Sequence, residues 1–154
     1  MNRKLQDLHN ELISKGCNLF FIDGIGGPID SDVEHLGFFD PNWEVYYSER
    51  GQKGKVFLST PDISEAIAFY RKHILSIEHW HLIAFTRSAD VLEKYRFGLE
   101  KVRIKTIQND LPDYSQRNDR IYRLFVVNKS IFEALRLFPE VPFFDENLTH
   151  FGTY

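Results

Sequence analysis

Trp43–Gly51, Trp-Glu-Val-Tyr-Tyr-Ser-Glu-Arg-Gly, alternates as a β-strand does. Trp43, Val45 and Tyr47 fall on one face, Glu44, Tyr46 and Ser48 on the other. Aromatic and β-branched residues suit a pleated, half-buried surface. Gly51 then opens the polar segment Gly51-Gln52-Lys53-Gly54, where glycine supplies the φ > 0 that a tight reversal needs. Lys55–Leu58 follows with Val56 and Leu58 inward, so Trp43–Leu58 reads as a long β-hairpin.

Toward the N-terminus, Asn2–Lys15 carries Leu5, Leu8 and Leu12 on one stripe with Ile13 beside it, and Gly16 sits where a helix C-terminus favours a left-handed residue. Leu19–Ile22 is apolar without alternation, as in a strand covered on both faces. Asp23–Pro28 holds Gly24, Gly26 and Gly27; without the dinucleotide fingerprint or a P-loop Lys, it reads as a turn. Asp30, Asp32 and Glu34 alternate with Ser31 and Val33, lining one acidic edge if extended and a solvated first turn if helical. Gly37–Pro41 leads into the hairpin.

Toward the C-terminus, Ser59-Thr60-Pro61-Asp62 signals a helix start, with a capping oxygen before the proline. The stripe Ile63, Ala66, Ile67, Tyr70 and Ile74 follows. Leu82–Phe85 reads as a buried strand, and Ser88 as the N-cap of a helix with Val91, Leu92, Tyr95 and Leu99 inward. Val102–Ile107 reads as a strand with Arg103 and Lys105 on its outer face. Asn109–Arg120 is a long polar loop, and loops of that length carry function more often than not. Ile121–Val127 resumes strand character. Ser130 with Glu133 forms a capping-box pattern for a short helix with Ile131, Leu135 and Phe138 inward, and the tail Val141–Phe144 is apolar enough to fold back on the core. The expected order is α-β-β-β-α-β-α-β-β-α. It implies an α+β chain, one domain over residues 1–154, with a mixed, mostly antiparallel sheet and packed helices.

With 43% hydrophobic residues, 14 Phe and 7 Tyr among 154 residues, the chain can build a core without staples. The one cysteine, Cys17, excludes an internal disulfide and reads as a small buried residue. No stretch has the length of a membrane span, and the N-terminus lacks a signal peptide's apolar core, so a cytoplasmic protein without membrane association is expected. A net charge of −3 disfavours direct nucleic-acid binding and permits a partner of positive charge.

His79-Trp80-His81 is the sharpest enzymatic pattern, since two histidines at that spacing share one face of a strand and metal sites use such pairs. A third ligand, such as Glu78 or Asp110, would have to come from the fold. Glu44, Glu49 and Arg50 could support acid–base chemistry, but a Glu-Arg pair at a turn is ordinarily a surface ion pair. Tyr46, Phe57, Tyr122 and Phe125 could stack bases; core packing accounts for them better in an acidic chain.

Taken together, Trp43–Gly51, the strand end Phe57–Thr60, Glu65-Ala66 with Phe69-Tyr70, Asn109–Tyr114 and Asn118–Val126 resemble a family of small bacterial cytoplasmic proteins associated with immunity to polymorphic toxins, including contact-dependent growth inhibition systems. The resemblance spans roughly residues 12–145. It implies a non-enzymatic inhibitor that needs no cofactor or metal and occludes the C-terminal domain of a cognate toxin. Such toxins are often nucleases with basic clefts, against which an inhibitor presents acidic and aromatic groups. The family pattern prescribes no interface residues. That chemistry selects Asp30, Asp32 and Glu34, together with Asp110, Asp113, Tyr114 and Asp119 on the long loop. The alternative is a small metal-dependent hydrolase using His79 and His81.

Overall fold

The computed structural model describes residues 2–111 and 120–139. The chain divides into two compact units, Met1–His79 and Trp80–Tyr154. Its class is α+β, with mostly antiparallel pairing and the long hairpin in place.

The first unit opens with helix α1, Asn2–Ser14. Leu5, Leu8 and Leu12 are buried along its inner stripe, and burying such a side chain stabilises by about 1.5–3 kcal/mol. Gly16, at φ 77, ends it: the Cys17 amide bonds back to Leu12 and the Gly16 amide to Ile13, as in a Schellman cap. The short strand β1, Phe21–Ile22, runs parallel to β2, Val33–Phe39, which in turn pairs antiparallel with β3, Asn42–Glu49, and β3 with β4, Gln52–Thr60. Thus Val33–Phe39, which the sequence leaves between an acidic segment and a lead-in, is a central strand of a four-stranded sheet ordered β1-β2-β3-β4.

The hairpin reversal also falls earlier than expected. Glu49 pairs with Gln52, and the two residues between them, Arg50 (φ 50) and Gly51 (φ 78), both have positive φ. That is the two-residue turn whose twist matches antiparallel strands. Gln52–Gly54 therefore belongs to β4, which takes up two register shifts against β3.

Helix α2, Ile63–Leu75, is capped by Asp62, whose side chain accepts from the Ser64 amide, while Thr60 Oγ1 accepts from the Asp62 amide. The cap is thus Asp62, two residues beyond the hydroxyl before the proline. Ala66, Ile67, Tyr70 and Ile74 face the sheet and join Leu36, Trp43, Val45 and the α1 leucines in one core. The Tyr70 hydroxyl, fully buried, donates to the Glu34 carbonyl (2.6 Å) and accepts from the Phe21 amide (3.1 Å), tying the helix to β1 and β2.

The second unit holds β5 (Trp80–Thr86), α3 (Ala89–Lys101), β6 (Ile107–Gln108), β7 (Tyr122–Val127) and α4 (Ser130–Leu137), with an antiparallel sheet ordered β5-β7-β6. Ser88 caps α3 as expected by accepting from the Val91 amide. Val102–Ile104, expected as strand, instead closes that helix: Arg103 adopts φ 65, and the Ile104 amide bonds back to Leu99. At α4 no side chain caps the N-terminus and Ser130 is already helical, so the capping box does not form. Ile131 and Ala134 are its buried positions and Leu135 is exposed; Phe138 rests on Tyr95. Ile83, Leu92, Leu99, Leu124 and Val126 form this unit's own core. The expected packing of Val141–Phe144 lies outside the described residues.

Candidate functional site

The first acidic candidates lie in the connection into β2, which backbone bonds hold firmly. The Asp32 amide donates to the Ser48 carbonyl (2.8 Å), extending the β2–β3 ladder by a residue. Ser31 Oγ accepts from the Arg50 amide (3.2 Å), and His35 Nε2 lies 3.0 Å from the Asp30 carbonyl. A carbonyl can only accept, so Nε2 carries the hydrogen. Asp30 and Asp32 are exposed, and Glu49 is exposed beside them at the turn. Glu34 differs: it is half-buried and pairs with His73 Nε2 of α2 at 3.3 Å. Partial burial, then Asp32, Glu49 and Glu34, raise the Tyr47 phenol above its ordinary value. The acidic segment is thus a rim around Tyr47 at the turn end of the hairpin, with Asp32 in a left-handed conformation (φ 61) that breaks the expected strand alternation.

A second polar group covers the sheet face of Tyr46. Tyr46 donates its hydroxyl to Asp23 Oδ2 (2.6 Å), and His35 Nδ1 lies 3.1 Å from Asp23 Oδ1. His35 and Tyr46 are buried, their rings 5.2 Å apart. Burial first, then the bond to Asp23 and the charges of Asp23 and Glu44, push the Tyr46 phenol well above the usual range. A phenol so held is a poor base at neutral pH. Gly37 makes the approach possible, because a methyl group there would overlap the Asp23 carboxylate. Nothing in local sequence pattern announces this group; its members come from three separate segments.

The groups expected to support catalysis are engaged elsewhere. His79 is fully buried: its Nδ1 accepts from the Asn18 and Leu19 amides (3.1 and 3.0 Å), and Nε2 donates to the Ile74 carbonyl (2.9 Å). Its lone pair faces two amides, so the ring does not offer it to a metal. Among the described residues no three His, Cys, Asp or Glu side chains converge as a metal cage. Asp110 accepts from Gln108 Nε2 (2.8 Å) and lies 3.5 Å from Arg120, which places it within loop structure. Glu44 pairs with Lys53. Cys17 is buried, and burial raises its thiol, with smaller opposing effects from Lys15 and Glu11. Asp113, Tyr114 and Asp119 lie outside the described residues.

At the other end of β2 stand two side chains that the sequence reading passes over. Phe38 is 51% exposed and Phe39 40%, next to exposed Asp40. Phe38 lies against Trp43 (5.0 Å between centroids) and Phe39 sits edge-on to Tyr46 (5.3 Å), with Lys53 Nζ 3.8 Å from the Phe39 centroid. The available signal was two consecutive phenylalanines just before Asp40-Pro41, a place where turn formers are usual. The chain matches no family model, no curated protein and no solved structure. No helix among the described residues is long and apolar enough to cross a membrane.

Proposed function

We propose that the chain is an immunity protein that binds the C-terminal domain of a cognate toxin, of nuclease type, in the cytoplasm of the cell that makes both. It acts by covering the toxin's active site or substrate surface and catalyses nothing itself. One observation carries this reading. The Asp30–Asp32 segment is pinned by three bonds from the sheet and hairpin turn, yet its carboxylates point to solvent. Preordered charge of this kind steers a basic partner at little entropic cost. The groups best suited to chemistry are meanwhile turned inward, His35 and Tyr46 onto Asp23 and His79 onto backbone. The hydrolase alternative gains no support from a histidine whose lone pair faces two amides.

The test is to co-express the chain with the compact C-terminal domain of a large secreted protein encoded beside it. Protection from that domain and a stable complex whose association slows with added salt are the expected results. Failure to form a complex, or turnover by the isolated chain, would refute the reading.

A further inference from the structure

We infer that His35 is held as an imidazolium whose two N–H groups clasp both ends of the loop from Asp23 to Asp30, and that loss of its proton releases the Asp30 end. This latch goes beyond the immunity reading and stands without it, because it is a property of the chain alone. A neutral imidazole offers one donor and one acceptor. His35 Nε2 meets the Asp30 carbonyl at 3.0 Å, and Nδ1 meets Asp23 Oδ1 at 3.1 Å. Asp23 Oδ2 accepts the Tyr46 hydroxyl at 2.6 Å, a bond that favours the ionised carboxylate. Both ring nitrogens therefore face acceptors, and only the doubly protonated ring satisfies the two. The same accounting gives His79 the neutral form, since its Nδ1 faces two amides.

The surroundings suit a cation. A buried charge is tolerated where it is paired and hydrogen-bonded. His35, 6% exposed, has a carboxylate at one nitrogen and a carbonyl at the other. The rings of its cross-strand partners Phe21 and Tyr46 flank it, at 4.9 and 5.2 Å between centroids. Asp23 and Tyr46 are the titratable groups that face it; Glu44 of β3 and Lys53 of β4 lie beyond Tyr46 and pair with each other. Glu34, the neighbour of His35 on β2, pairs with His73 of α2.

Deprotonation leaves one N–H for two acceptors. The carboxylate is the stronger acceptor, so the ring keeps its bond to Asp23 and turns a lone pair toward the Asp30 carbonyl. The near end of the loop is held independently: the Asp23 amide donates to the Leu36 carbonyl (2.9 Å), and Gly26 and Ile22 exchange two backbone bonds. The next anchor along the chain is the Asp30 carbonyl on His35. Beyond it, Ser31 keeps its bond from the Arg50 amide and Asp32 its bond to the Ser48 carbonyl. The stretch that the proton controls is therefore residues 27–30, with exposed Ile29 and the first acid of the rim.

NMR of ring nitrogens and backbone amides on the full chain, followed as pH rises, tests the inference. The His35 signals are assigned by their loss in His35→Phe. In the wild type, the ring is expected to pass from imidazolium to a single tautomer that keeps its Nδ1 hydrogen. The Ile29 and Asp30 amides are expected to shift in the same step with the same midpoint, while the Asp32 amide stays protected from exchange. Asp23→Asn separates the latch from a general effect of pH. Its amide group donates to Nδ1 and its oxygen still accepts from Tyr46, so a neutral ring keeps Nε2–H on the Asp30 carbonyl. The step at Ile29 and Asp30 is expected to vanish in Asp23→Asn, with both amides fixed at the wild-type acid-side positions. In His35→Phe it is expected to vanish with both at the alkaline-side positions; should that variant not fold, Asp23→Asn still decides. A ring that loses its proton while Ile29 and Asp30 stay still, or one that keeps it until the fold melts, would overturn the latch. So would a step that persists in Asp23→Asn, or one that disappears in His73→Phe and not in His35→Phe. None of these results bears on toxin binding, so the immunity reading stands or falls separately.

Discussion

The imidazole of His79 has one lone pair and one N–H, and the protein backbone engages both. Removing the ring takes an acceptor from the Asn18 and Leu19 amides and empties a site in which the imidazole has no exposure, while the Ile74 carbonyl keeps its bond from the Ile77 amide. Each unmet buried group costs about 1–3 kcal/mol, so His79→Ala is expected to destabilise on the order of 3–5 kcal/mol once the cavity is included. Urea unfolding measures this; a loss below about 0.5 kcal/mol would contradict the structural role. The sequence offered His79-Trp80-His81 as a metal pattern because residue type and spacing were visible, whereas the amides that occupy His79 lie 61 and 60 residues away. The same distance problem hid the group formed by Asp23, His35 and Tyr46. Asp30 and Asp32 were legible as exposed acids, since charge at the surface needs no partner to explain it. Glu34 was not, because its partner His73 arrives from α2.

At the level of elements, helical stripes were the best-encoded feature: Leu5, Leu8 and Leu12 on α1 and Ala66, Ile67, Tyr70 and Ile74 on α2 are buried as expected, while Ile63 is partly buried against the same core and Ile13, beside the α1 stripe, is exposed. Strand β2 was not encoded locally. Val33, His35, Leu36 and Gly37 are all buried because both faces of the strand are covered, which removes the two-residue alternation a half-exposed strand would show. The hairpin itself was legible, but its turn was assigned by glycine and polarity, while the structure places Arg50 in the first left-handed position. A non-glycine residue there carries a steric penalty that Asn tolerates better. Arg50→Asn is therefore expected to stabilise by about 0.5–1 kcal/mol, since the Arg50 amide bond to Ser31 survives the change. Gly51→Val, at φ 78, is expected to destabilise by about 1–2 kcal/mol. Arg103, at φ 65 in the closing turn of α3, makes a parallel case: Arg103→Gly is expected to stabilise by up to about 1 kcal/mol. Melting temperatures of the three variants decide the matter, and a fall for Arg50→Asn would mean the side chain has a role the turn geometry does not capture.

For the molecule as a whole, composition and periodicity indicated an α+β chain, and they could not show that its strands divide between two sheets with separate cores. No change in composition marks the boundary at His79, which falls inside a tripeptide that reads as continuous strand. The first unit carries a consequence for stability at high pH. Tyr46 and Tyr70 both have phenols held above the ordinary value, burial being the leading cause in each; the Phe21 backbone bond to Tyr70 works in the opposite direction and is outweighed. In the unfolded chain both ionise near pH 10. Below that pH both states keep their protons, and stability does not depend on these groups. Above it the unfolded chain loses protons that the folded chain retains, so stability falls as pH rises, by up to about 1.4 kcal/mol per pH unit for each phenol. Urea midpoints at pH 9, 10 and 11 should therefore decline with a slope that Tyr46→Phe with Tyr70→Phe flattens, even though that double variant starts from lower stability at neutral pH. Absorbance near 295 nm, followed on the folded protein, should show at least two of the seven tyrosines silent until unfolding begins. An unchanged slope in the double variant would mean that the phenols are solvated in solution, and that the bond from Tyr70 to Glu34 does not hold helix to sheet.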